Sequence, residues 1–188
     1  MRKALGMSNF QTLEHMVLST AEAVRPPERL TVAEAAEKYR YINNPGSYVG
    51  PFKNAVTPYL VEPMEMLTSL NYTAMIFVGP AQCGKSDMSL NWLTYTAVSD
   101  PADFMHIDKA QASARDFYQR RVEKLFRDTR AVKDRLLPGK HNSSTYSTRF
   151  TSGMLYTLSW PTVPCRASSN RPRVLNASGK SQPFKGAA

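Results

Sequence analysis

The chain has 188 residues, of which 42% are hydrophobic, and 24 lysines and arginines against 15 acids give it a net charge of +9. That length and apolar content suit one domain with a buried core and exclude a fibrous or wholly disordered chain. No apolar run approaches the length of a membrane-spanning helix, no signal-peptide pattern opens the chain, and the two cysteines, Cys83 and Cys165, offer neither a metal-ligand spacing nor a disulfide framework.

Phe10, Leu13, Met16, Val17 and Ala21 recur at helical spacing and predict a first helix over residues 9–24, with Ser8 as its cap and Pro26 and Pro27 as its stop. Thr31 opens a second helix. A hydroxyl at the cap with Glu34 three residues on has the capping-box form, and Val32, Ala35, Ala36 and Tyr39 give the helix an apolar stripe. Asn43, Asn44, Pro45 and Gly46 then break the chain, and residues 47–57 read as a loop. A third helix is expected over 58–70, with Pro58 in its first turn and Leu60, Val61, Met64, Met66 and Leu67 on its apolar face. Tyr48, Phe52 and Tyr59 are read as core residues in preference to base-stacking ones, because burial is the commoner fate of an aromatic ring.

Residues 79–86 read GPAQCGKS. Gly79, four residues, Gly84, Lys85 and Ser86 fit the spacing of a phosphate-binding loop without a mismatch. Met75, Ile76, Phe77 and Val78 predict the strand that should precede such a loop, and a helix is expected over 85–98, ended by Asp100 and Pro101. In this pattern the glycines let backbone N–H groups come close to phosphates, and the helix N-terminus adds the positive end of its dipole. Lys85 is expected on the β- and γ-phosphates of ATP and Ser86 on Mg²⁺. Cys83 occupies a variable position of the loop; a thiol there can be acidified by the helix end, so alkylation is a candidate block to nucleotide binding.

Residues 103–108 predict a strand, with His106 read as a packed strand residue. A helix is expected over 110–129 with Ala114, Tyr118, Val122, Leu125 and Phe126 on its buried face. Arg115, Arg120, Arg121, Lys124, Arg127 and Arg130 crowd the remainder, and a DNA-backbone contact and an ordinary solvated face fit them equally. Residues 145–150 and 154–160 predict a hairpin around Thr151, Ser152 and Gly153. Beyond Pro161 the pattern dissolves into a basic, acid-free tail, expected to be poorly ordered from Ser168.

With these segments in place the chain resembles the N-terminal ATPase part of the large subunit of lambda-type phage terminases, over roughly residues 25–175. Residues 26–41 look like the family's entry segment, residues 57–64 like the helix leading into the motor strand, and Gln82-Cys83-Gly84-Lys85-Ser86 sits where the family has its form of the phosphate loop. The resemblance implies an α/β P-loop NTPase, a parallel sheet flanked by helices, incomplete at the C-terminus. It divides the chain into a helical lead-in (1–45), the first part of the ATPase core (46–167) and a basic tail (168–188), with no nuclease domain. It implies ATP and Mg²⁺ as cofactors, Gly79, Gln82, Gly84, Lys85 and Ser86 as nucleotide-binding residues, and Ser86 as the metal ligand. Gln82 would lie where a loop residue senses the γ-phosphate. The implied partners are double-stranded viral DNA, held non-specifically by its phosphates, the small terminase subunit and the portal. No membrane is involved, and the expected location is the host cytoplasm, from a prophage gene.

A hydrolytic motor also needs a carboxylate for Mg²⁺ and a neighbouring Glu to orient water. In the family this pair closes a strand downstream of the hairpin. Arg173, Val174 and Leu175 begin such a strand, but Asn176, Ala177, Ser178 and Gly179 follow, and no acid occurs after Asp134. Asp108 ends an earlier strand and is followed by Lys109, so the resemblance assigns it no catalytic part. Three readings therefore stand at this point. One is a terminase ATPase motor fragment, and another a truncated, non-catalytic prophage remnant that at most binds nucleotide, DNA or packaging partners. A small phosphoryl-transfer kinase using Asp87 is the third, ill suited by the upstream helices and the acid-free tail.

Overall fold

Thr31 and Glu34 start the ordered part of the fold. In the computed structural model, which describes residues 16–18, 20, 21, 28–139, 142–161 and the backbone of 173–176, Thr31 Oγ1 accepts from the Glu34 N–H at 3.3 Å. Glu34 Oε2 accepts from the Thr31 N–H at 2.7 Å, completing the capping box of α1 (Val32–Tyr39). Val32, Ala33, Ala35 and Ala36 are buried along one side. Of the helix expected over 9–24, residues 16–18, 20 and 21 are described and are helical; the remainder, with Ser8, lies outside the described residues.

The break expected at 43–46 is the turn of a hairpin, and the loop expected over 47–57 begins with its second strand. β1 (Tyr41–Asn44) pairs antiparallel with β2 (Tyr48–Pro51), Ile42 facing Gly50. Pro45 and Gly46 fill the centre of a turn closed by the Ser47 N–H on the Asn44 carbonyl at 3.0 Å, and Gly46 takes the positive φ of 86° that the second central position of such a turn requires. The strands are short and mostly exposed, so they carry no alternating apolar pattern from which pairing could be read.

The third helix is also shorter than expected. Pro58–Leu60 is a 3₁₀ turn that runs into α2 (Val61–Met66). Its tighter winding turns Leu60 and Met64 inward and leaves Tyr59 and Met66 exposed. Tyr48 is exposed too, its hydroxyl donating to the Pro51 carbonyl at 2.7 Å, so of the three aromatics read as core only Phe52 is buried.

α3 (Lys85–Val98), β3 (Phe104–Ile107) and the helical run after it fall where the apolar spacing put them. That run consists of α4 (Gln111–Phe117), a π-helical turn (Tyr118–Val122) and α5 (Glu123–Asp128), and α6 (Arg130–Lys133) follows. All five residues predicted for its buried face are buried. The hairpin around Gly153 is formed by β4 (Ser147–Arg149) and β5 (Leu155–Ser159), antiparallel. β6 (Arg173–Asn176) confirms the strand start read at Arg173; the rest of the tail lies outside the described residues. The sheet runs β4-β5-β3-β6, with β3 parallel to both β5 and β6. The result is a mixed α/β fold around a parallel-containing sheet.

Two hydrophobic clusters fill it. The larger joins α3 (Leu90, Leu93, Ala97) to the sheet (Phe104, Tyr156, Leu158) and to Tyr118 and Phe126. The smaller joins Met88 of α3 to Val32, Phe52, Leu60 and Met64. Trp92 packs against both, so α3 is the wall they share.

His106 is buried in β3 and stacks on Phe117 with ring centroids 4.5 Å apart, as its reading as a packed residue requires. Burial lowers its pKa from 6.5 to about 4, against the pull of the Asp108 charge. Within that window the unfolded chain binds the extra proton, so stability is expected to fall as pH drops from 6.5 toward 4. The full loss would be on the order of 3 kcal/mol. Denaturant melts at pH 7, 6 and 5 measure this slope; it should flatten in His106→Leu, and an unchanged slope would show that His106 is not its source.

Candidate phosphate-binding site

The apolar run 75–78 has no regular structure and is unpaired: it joins no strand among the described residues, so the expected strand is not part of the sheet. Met75 and Phe77 pack on the smaller cluster, whereas Ile76 and Val78 are each 88% exposed. Local β-propensity favours an extended backbone, but a strand exists only where neighbours accept its hydrogen bonds.

The loop after it curls through two residues of positive φ, Gln82 at 60° and Gly84 at 78°. Gly84 is the N-cap of α3. Its left-handed backbone disfavours any side chain, and a Cβ there would stand 2.7 Å from Leu60 Cδ1 in the smaller cluster. A Cβ on Gly79 would stand 2.7 Å from Cys83 Sγ, the end of a side chain that can turn away. No side chain caps α3, so its first-turn N–H groups are left to an incoming acceptor. Lys85 folds back over the loop: its ammonium donates to the carbonyls of Gly79 (2.8 Å) and Pro80 (2.5 Å) and lies 3.5 Å from Cys83 Sγ. Ser86 and Gln82 are exposed beside it. The structure thus brings Gly79, Gln82, Gly84, Lys85 and Ser86 together at one helix end.

Behind that helix end lies a group without a sequence signal. Arg40, at the end of α1, is buried; its guanidinium donates to the Asp87 carboxylate (2.6 Å), the Asp87 carbonyl (2.8 Å) and Asn91 Oδ1. Asn91 in turn donates to Met64 Sδ at 3.1 Å. Burial lowers the Arg40 pKa from its ordinary value, and Asp87 opposes that shift. The guanidinium also lies over the Phe52 ring, 5.4 Å from its centroid. A lone arginine after a capping-box helix gives no spacing clue to a partner 47 residues on. Asp87 is therefore held in an ion pair, which leaves it unsuited to the kinase role weighed above.

A family model of the ATPase domain of the phage terminase large subunit gpA matches residues 46–177. The chain belongs to this family. No curated protein and no solved structure matches it. The match takes in the loop, α3 and the sheet through β6, so the terminase ATPase sequence is the part of a viral DNA-packaging motor that belongs to its ATPase. An ATPase of this family uses nucleotide, and its work is on DNA with other packaging components. No helix among the described residues is long and apolar enough to cross a membrane.

Within the terminase ATPase sequence the sheet sets two strand ends side by side. β3 and β6 are parallel, with Ile107 level with Asn176. Asp108 follows on β3, half-buried, its N–H donating to the Ser159 carbonyl and its carboxylate accepting from the Lys109 N–H at 2.6 Å. The strand next to it therefore reaches this edge with an amide residue, Asn176.

Gly84→Ala is expected to cost about 1–2 kcal/mol from the left-handed backbone alone, and more from displacing Leu60. Gly79→Ala should cost less, which paired thermal melts would reveal; equal losses would contradict the Leu60 contact. Arg40→Ala strands Asn91 and Asp87 and is expected to destabilise the chain by on the order of 3 kcal/mol. Asp87→Asn leaves the buried Arg40 charge without its counter-ion and is expected to cost a comparable amount. Chemical denaturation of both variants compares the two losses.

Proposed function

We propose that residues 79–86 hold the triphosphate of ATP, and that the chain has the P-loop NTPase fold of a packaging motor, with residues 1–45 as a lead-in and the motor core running from 46 past the expected boundary at 167, because β6 pairs with β3 inside what was expected to be the basic tail of 168–188. What carries the reading is Lys85, folded into the loop at the uncapped start of α3. The residues fit the group they would bind. A helix start without a side-chain cap offers N–H donors to phosphate oxygens. Gly84 supplies the left-handed turn that leads the loop into the helix, and a Cβ on Gly79 would crowd Cys83 within the loop. Lys85 would exchange carbonyl partners for β- and γ-phosphate oxygens, and Gln82, exposed in the loop, would lie beside the γ-phosphate.

Mg²⁺ would be held by Ser86 together with phosphate oxygens and water, an arrangement that needs no cage of protein carboxylates. Among the described residues no group of three or more His, Cys, Asp or Glu is placed to hold a metal. In a complete motor, hydrolysis of the bound ATP would drive the movement of DNA. The DNA partner in this reading is double-stranded and held through its phosphates without sequence preference. The small terminase subunit and the portal are the protein partners, and the host cytoplasm is the place of action.

Binding of a fluorescent ATP analogue with Mg²⁺ tests the assignment. Lys85→Ala should weaken it at least about tenfold, the effect of losing one charge-assisted contact of about 1.5–3 kcal/mol. Equal affinity in the variant would overturn the role given to the loop. Phosphate release is expected near background with or without duplex DNA, because no acid follows Asp134. DNA-stimulated release that disappears in Lys85→Ala would instead mean that another carboxylate, Asp108 first, completes the site.

A further inference from the structure

The turn of the β1–β2 hairpin faces the π-helical turn between α4 and α5 across an open cleft of about 470 Å³. Its lining is Asn44 and Ser47 on one side and Arg120, Arg121 and Lys124 on the other, so it holds three cations and no carboxylate. A smaller recess continues from it toward Arg40 and Asp87, which are paired with each other. Asp128, also in the recess, is paired with Arg127 at 2.9 Å. Arg120 shares its charge with Asp116 at 2.6 Å on an exposed surface. Arg121 and Lys124 make no hydrogen bond or ion pair among the described residues. Their charges are felt all the same: Arg121 helps lower the Arg40 pKa and Lys124 the Asp128 pKa.

We infer that this cleft seats the phosphate backbone of double-stranded DNA, at a place separate from the nucleotide loop. The inference rests on the reading of the chain as part of a DNA-packaging motor and assigns the residues that touch the cargo. Arg121 and Lys124 stand in the cleft without an ion pair among the described residues, Arg120 is only partly balanced by Asp116 on an exposed surface, and a polyanion relieves the repulsion among the three. The cleft is open rather than enclosed, which suits a long ligand passing over it. Asn44 and Ser47 add neutral side chains of the kind that bond phosphate oxygens, and such contacts position a duplex without reading its bases. Of the two readings open for the cationic helix, the cleft separates its residues. Arg120, Arg121 and Lys124 face the hairpin, whereas Arg115, Arg127 and Arg130 do not line it and form the solvated remainder.

The test is fluorescence anisotropy of a labelled 20-base-pair duplex with the full 188-residue chain across a NaCl series. Neutralising three phosphate contacts contributes about −2.7 to the slope of log K against log [salt]. Arg120→Gln, Arg121→Gln and Lys124→Gln combined should therefore lower the slope by about 2–3 and weaken binding at least tenfold in low salt. A control variant with Arg115→Gln, Arg127→Gln and Arg130→Gln should keep most of the wild-type slope. Equal losses in both variants, or none in the first, would overturn the cleft as the seat. So would a wild-type chain that ignores the duplex, or one that binds polyglutamate of matched charge as tightly. Binding of the fluorescent ATP analogue, run alongside, is expected to be unchanged in the cleft variant. If the wild-type chain binds ATP but not the duplex, the cleft assignment fails alone; if ATP binding is absent in the wild type, the motor reading fails with it.

Discussion

Arg40 carries a full charge into the interior, and three partners on or beside one turn of α3 receive it. A buried guanidinium is costly unless its donors are used, so its position fixes α1 against the first turns of α3 to within hydrogen-bond tolerance. Two further consequences follow along the chain. α3 begins at the phosphate loop, so whatever orients the helix orients the loop's exit. The helix is also the wall between the two hydrophobic clusters, so its placement sets the depth of both. A polar interaction thus specifies the angle, and apolar burial on either side supplies the greater part of the stability.

Much of this architecture is legible in the residues themselves. Thr31 and Glu34 announce a helix start through a reciprocal bond that only their spacing allows, and the run from Ala114 to Phe126 announces its buried face through period alone. The hairpin around Gly153 is equally plain, its φ of 85° being a conformation other residues avoid. What escapes is whatever depends on neighbours far along the chain. The segment 75–78 has strand composition but no strand beside it, whereas β1 and β2 pair although each has only two strand-favouring residues before Asn, Gly or Pro. Tyr59, read as core only because it is aromatic, and Met66, placed on the apolar face by a helix expected over 58–70, both lie outward where a 3₁₀ turn and a shorter α-helix take that helix's place.

The candidate site divides the same way. Gly79, Gly84, Lys85 and Ser86 stand within eight consecutive positions, so their spacing carries their geometry, and family membership follows from the stretch around them. The Arg40 network and the cationic cleft join segments dozens of residues apart, and each residue in them is of a type that usually lies on a solvated surface. Charge counting finds the cations of the helix, but only the fold shows which of them face the hairpin turn.

The unpaired run before the loop has a kinetic meaning. None of the amides from Ala74 to Val78 donates a backbone hydrogen bond among the described residues, while a few positions later α3 is walled in by two clusters. Amides protected by global opening and amides protected by nothing stand about ten positions apart, between Val78 and Met88, whose N–H donates to the Gly84 carbonyl. In deuterated water the first set would exchange in step with unfolding of the whole domain and the second at nearly the rate of a free peptide. The loop sits on that boundary, anchored at its helical end and loose at the other, so motion there has one hinge and one free arm.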